Sequence, residues 1–187
     1  QITYRPAGSK TPVTVVQDTH YPFSDEIAFH FRMDKAAKFP FTLRIPGWCR
    51  KAELHINGVK QKGALKAGSF VTLNRVFAPS DVVILRLPME LRMSTWGQGG
   101  IGIERGPLVF SLAIQEKWVV DKKDDRSTAE FPAWNCYPAS DWNYALAVDE
   151  KNLDKVARIV FNPASTDPWN NPPIELRLPA RKVARWK

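Results

Sequence analysis

FTLRIPGWCR, running from Phe41 to Arg50, decides how this chain is read. Phe41, Leu43 and Ile45 alternate with Thr42 and Arg44. Period two is the mark of a strand with one buried face. Pro46-Gly47 then turns the chain. Trp48 and Cys49 follow the turn, where such side chains face a ligand, hold a metal or fill a core.

The same period extends outward in both directions. Val13 to Gln17 reads as a first strand. Ile27, Phe29, Phe31 and Met33 alternate with Ala28, His30 and Arg32. Ala52, Leu54 and Ile56 form another inward row, with Glu53 and His55 outward. Asn57-Gly58 is a hairpin-turn signal, because both residues tolerate positive φ. Phe70 to Leu73 gives a further strand, and the near-continuous apolar run Val82 to Leu87 suits a central one. Ile101, Ile103 and Leu108 to Ile114 continue the series. Many short strands with turn signals about every ten residues predict an all-β fold, an antiparallel β-sandwich of jelly-roll-like type.

From Trp118 the texture changes. Residues 121–130 are charged and read as an exposed loop. Residues 131–144 are aromatic-rich without a period. Residues 150–158 read as a short helix or turn, and Ile159 to Phe161, Ile174 to Leu178 and Val183 as edge strands. The expected organisation is a β-sandwich domain over 12–117. A C-terminal extension over 118–187 packs on it or forms a small second β lobe.

Composition sets the function classes. The 187 residues suffice for one sizeable core or two small ones, and fifteen prolines suit short strands better than long helices. The formal net charge is +8. Its densest groups are Lys122-Lys123, diluted by Asp121, Asp124 and Asp125, and the tail Arg181, Lys182, Arg185 and Lys187. With no basic helical stripe and no nucleotide-binding or zinc-finger motif, no nucleic-acid partner is expected. No apolar run is long enough to span a membrane as a helix, so no membrane partner is expected. The chain begins at Gln1, the pattern of a processed chain or of a piece of a longer one.

Catalytic chemistry finds candidates but no motif. His20, His30 and His55 lack the close-spaced cysteine or HExxH partner of a zinc site. His30 and His55 fall on outward strand faces, where they could be neighbours. Glu104, Asp141, Asp149 and Glu175 are candidates for a glycosidase carboxylate pair, yet spacing singles out no two of them. Cys49, followed by Arg50 and Lys51, is a candidate nucleophile, against the plainer reading of a buried, inert thiol. Ser24, His20 and Asp25 are only neighbours in sequence. Trp134, Tyr137, Trp142, Tyr144 and Trp169 are candidates for a carbohydrate-binding platform, since indole and phenol rings offer flat apolar faces with polar edges. The alternative is that they fill an interface with a further domain.

FTLRIPGWC, LHINGV, GSFVTLNRVFAPSDVVILRLPME and IERGPLVFSL follow one another in order. This set resembles the post-catalytic β-domain region of the β-L-arabinofuranosidase-like glycoside hydrolases of family 127, long known only as a domain of unknown function. The resemblance covers residues 12–115. FPAWNCYPASDWNYALAVD and PPIELRLPARKVARW look like later parts of these proteins, particularly bacterial secreted ones. It implies a parent enzyme, secreted or periplasmic, with an N-terminal (α/α)6 barrel. That barrel carries an acid-base glutamate and a zinc-bound cysteine cluster that supplies the nucleophile. None of those motifs matches here. Cys49 aligns with a turn of the β-domain and Cys136 with no family ligand. No catalytic residue, metal or cofactor is therefore expected. The expected partners are the N-terminal catalytic domain of the same polypeptide and, for the aromatics, a plant-type polysaccharide or oligosaccharide.

Overall fold

The computed structural model describes residues 1–7 and 11–184. Arg185 and Lys187 of the basic tail lie outside the described residues. The chain divides into two compact units, Gln1–Arg92 with Glu104–Val109, and Met93–Ile103 with Phe110–Lys187.

The first unit is built from β1 (Ile2–Tyr4), β2 (Val13–Thr19), β3 (Glu26–Arg32), β4 (Ala37–Ile45), β5 (Glu53–Ile56), β6 (Val59–Lys60), β7 (Ser69–Phe77) and β8 (Val82–Arg86). Six of these make one sheet in the order β1-β2-β3-β8-β5-β6, while β4 and β7 pair separately. The apolar run Val82 to Leu87 does lie centrally, with β8 between β3 and β5. The turn joining β5 to β6 has Asn57 at φ 51 and Gly58 at φ 78, with Ile56 opposite Val59. Two left-handed residues match the twist of a two-residue hairpin. Pro40 sits within β4, which is tolerable because β4 pairs on one side only.

The two sheets close on each other through aromatic rings. Phe31 of β3 meets Phe39 of β4 at 5.8 Å and Phe77 of β7 at 4.7 Å, and Phe39 stacks on Phe77 at 4.5 Å. Leu43 and Ile45 are buried beside them, with Phe41 and Trp48 partly buried. Trp48 thus contributes to this core.

The chain then runs through β9 (Leu91–Thr95), β10 (Ile101–Arg105) and β11 (Leu108–Phe110), a sheet of order β11-β10-β9. Gly106, at φ 57, makes the turn between the last two, and a Cβ there would meet Met89 Cγ at 2.7 Å. Only glycine combines that backbone with that contact.

The second unit holds three ribbons. β12 (Glu116–Val120) pairs with β13 (Trp134–Pro138), β14 (Tyr144–Leu146) with β17 (Ala180–Lys182), and β15 (Arg158–Phe161) with β16 (Ile174–Arg177). The helix α1 (Leu153–Val156) follows a 3-10 turn, Glu150–Asn152, capped by Asp149, whose side chain accepts the Asn152 N–H. Val183 differs from expectation. It follows β17, its backbone N–H bonded to Asn143 O at 2.8 Å. Strand β13 lies in the segment that showed no period, for a physical reason. All of its residues but Asn135 are exposed, as are all five of β12, so neither strand has a buried face to leave an alternation.

Candidate functional site

The histidines do not converge. His30 pairs across β3–β8 with Val82, and His55 across β5–β8 with Ile84. They share a sheet face but β8 runs between them, two strand spacings or roughly 10 Å. Nε2 of His55 contacts Glu53 at 3.1 Å instead. Among the described residues, no group of three His, Cys, Asp or Glu side chains is arranged to hold a metal.

The candidate carboxylates are each tied locally. In the first unit, Glu104 is buried and bonded to Arg92. In the second, Asp141 receives Lys182 Nζ at 2.6 Å, raising the pKa of that lysine. Asp149 accepts the Asn152 amide at 2.9 Å. Glu175 accepts Asn162 Nδ2 at 2.9 Å and pairs with Arg177 at 3.3 Å, and these contacts lower its pKa. For Glu175 this is the opposite of the shift a general acid needs.

Cys49 is fully buried beneath the turn that follows β4. Burial pushes its thiol pKa up, and although the Lys51 backbone opposes this, Glu90 and Asp25 add to the rise. A nucleophile requires a lowered thiol pKa. Cys136 is exposed on β13 and both cysteines are free.

The aromatic candidates do not form one platform. On the β12–β13 ribbon, Trp118 is opposite Cys136 and Val120 opposite Trp134. Side chains alternate, so Trp134 shares a face with Trp118, while Tyr137 falls on the other face, opposite Lys117. Trp118, not among the sequence candidates, donates its indole N–H to Glu116 at 2.8 Å. Tyr144 belongs to a different ribbon, opposite Lys182, and Trp142 lies in the segment that leads into it. Trp169 stands alone on the loop between β15 and β16. It is 92% exposed, on a turn where Asp167 accepts Asn170 Nδ2 at 2.7 Å. Strand parity separates Trp134 from Tyr137, a signal that only appears once the pairing is known.

Two open depressions accompany these residues. One in the first unit, about 490 Å³, runs past Val16, His30, Ser80 and Asp81. The buried Asp81 there has its oxygens taken by Asn57 Nδ2 at 2.8 Å and the Ala78 N–H at 3.1 Å. The other, about 520 Å³, follows β14 between Leu146 and Val156, with Asp149 and Arg181 on its lining. Asp18 and Arg32 line the first depression beside His30.

The first unit is thus an all-β pair of sheets packed on a phenylalanine core, with Asp81 and Glu104 each bonded locally. Residues 3–89 match the family model described as "Beta-L-arabinofuranosidase, GH127 middle domain". Residues 3–89 are thus similar to the middle domain of that family, and the match takes in β1 through β8. No curated protein matches the chain. Among solved structures, a GH127 β-L-arabinofuranosidase from Geobacillus stearothermophilus T6 is 23% identical, with a TM-score of 0.57. The match covers 96% of this chain and 28% of that one. A glycoside hydrolase is 30% identical over 52% of this chain and 17% of its own, with a TM-score of 0.47. A GH127 β-arabinofuranosidase is 19% identical over 76% and 27%, with a TM-score of 0.48. The chain thus spans at most 28% of the length of these three relatives.

Proposed function

We propose that the chain is the non-catalytic β-domain region of a larger glycoside hydrolase of β-L-arabinofuranosidase type. In this reading it stabilises an (α/α)6 catalytic barrel supplied by the rest of the polypeptide. One observation carries the reading. The second unit buries only Ile103, Leu153 and Ile174 among its described hydrophobic residues, while it holds sixteen of the twenty-one exposed large hydrophobic side chains. A unit of that size needs a hydrophobic core to be stable alone. Its exposed aromatics are what a covering domain would bury.

The alternative, a carbohydrate-binding module, is favoured by the shared face of Trp118 and Trp134 with an indole N–H held by Glu116. A sugar would cover one face of that ribbon, and Val119 and Tyr137 would stay bare on the other. A covering domain accounts for both faces. The discriminating experiment assays the purified chain on an aryl β-L-arabinofuranoside and titrates it with arabinan. Neither turnover nor binding is expected. Turnover abolished by one point substitution overturns the reading, and arabinan binding weakened by Trp142→Ala or Trp118→Ala establishes the module instead.

A further inference from the structure

The charge of the chain is not shared evenly. The first unit has fifteen Lys and Arg against eight Asp and Glu, a net +7 of the total +8. Its two outer sheet faces differ. The six-stranded sheet carries acids as well as bases, with Arg86 paired to Glu26 at 2.9 Å and Lys60 to Glu53 at 2.5 Å, while Asp18 and Arg32 make no ion pair among the described residues. The outer face of the β4–β7 sheet carries bases alone. Neither strand contains an Asp or Glu, and every outward side chain of both is exposed. Lys38 and Arg44 stand six residues apart on that face, about 20 Å along the strand. Neither makes an ion pair among the described residues.

Between the two cations lie hydrogen-bonding side chains, with the exposed Pro40 opposite Asn74 and the exposed Val76 opposite Lys38. Thr42 and Thr72 are opposite one another, with their hydroxyls 2.9 Å apart, and Asn74 follows. At one end Phe70, 69% exposed, sits directly across from Arg44. We propose that this face of the β4–β7 sheet binds a carboxylate-bearing, uronate-containing polysaccharide laid along the strands. Phe70 offers a flat ring for a sugar face. Threonine hydroxyls and the asparagine amide match sugar hydroxyls. Lys38 and Arg44 take carboxylates at the two ends, with Arg44 beside the stacking ring. The absence of any acid from both strands makes the face complementary to an anionic ligand. The site lies wholly in the first unit, so it stands independently of whether the chain supports a catalytic barrel.

The test uses the full chain and three probes, polygalacturonate, neutral arabinan and polyglutamate, by affinity electrophoresis and calorimetry at low salt. Polygalacturonate is expected to bind and arabinan not to bind, with the affinity collapsing near 0.5 M salt as charges are screened. Lys38→Gln with Arg44→Gln should weaken polygalacturonate binding about tenfold or more, and Phe70→Ala should weaken it several-fold. Lys151→Gln, in the second unit, should leave it unchanged. All these side chains are exposed, so circular dichroism and Tm should match the parent chain. Unaltered binding in the double variant overturns the proposal. So does equal binding of polyglutamate that ignores Phe70→Ala, which would mark an acidic polypeptide as the occupant. A sulfated dextran arm separates sulfate from carboxylate recognition. Tighter binding of sulfated dextran than of polygalacturonate overturns the uronate assignment.

Discussion

Asn57 donates its side-chain amide to Asp81 Oδ1 at 2.8 Å, across 24 positions of chain. The same residue accepts the Val82 N–H on its side-chain oxygen at 2.8 Å and donates its own backbone N–H to Val82 O at 2.9 Å. One asparagine thus ties the β5–β6 turn to the start of β8. Asp81 completes the knot through the Ala78 N–H and, at 3.5 Å, Arg75. Asp81→Ala leaves these donors without an acceptor and should cost about 2–3 kcal/mol in urea unfolding.

That contribution carries a pH signature. Burial of Asp81 works to raise its pKa, but the Asn57 amide, the Ala78 N–H and Arg75 outweigh it, and the value falls below the ordinary 3.8. A carboxyl lowered by folding stabilises the fold above its unfolded value, and that stabilisation is lost as pH drops through the folded one. The stability gap between the parent chain and Asp81→Asn should therefore be full near about pH 6 and close progressively below about pH 4. A gap that stays constant down the acid limb would contradict the assignment.

Gly106 and Met89 should behave as a coupled pair. Gly106→Ala places a methyl 2.7 Å from Met89 Cγ on a backbone at φ 57. Strain and overpacking together should cost about 2–4 kcal/mol. In a Met89→Ala background the steric part disappears and only the backbone part remains. A double-mutant cycle should show a positive coupling, and strict additivity would refute the contact as the cause.

The two units should differ sharply in hydrogen exchange. Amides of β3 and β8, flanked by paired strands over the phenylalanine core, should exchange only on global unfolding. Amides of β12 and β13, a two-stranded ribbon exposed on both faces, should exchange orders of magnitude faster. Iodide should quench most of the tryptophan emission, since Trp96, Trp118, Trp134, Trp142 and Trp169 are all exposed. Uniform protection across both units would show that the second is independently stable.

The sequence is legible where one face of an element is buried. Ile27 to Met33, Phe41 to Ile45 and Leu54 to Ile56 alternate because the core selects every second side chain, and the Asn57-Gly58 turn is fixed by backbone sterics alone. Legibility fails where tertiary pairing decides. His30 and His55 share a face, but nothing local reveals that β8 separates them. Glu104 is adjacent to Arg105 in sequence, yet its partner is Arg92, which only the pairing of strands supplies. The aromatic segment 131–144 is readable as aromatic and nothing more. The bare β4–β7 face is written in the sequence as two strands without a single acid, although their partnership is not.

Asn57-Gly58 has one further consequence, for chemical ageing. Asparagine is a thermolabile residue, and a glycine after it, having no Cβ, leaves the following backbone N–H free to approach the side-chain carbonyl. Here that carbonyl and its amide are both held, by Val82 and Asp81. The grip that organises the turn also protects it during long storage. Any chain that does deamidate acquires a second carboxylate against the buried Asp81, and like charges there would loosen the start of β8.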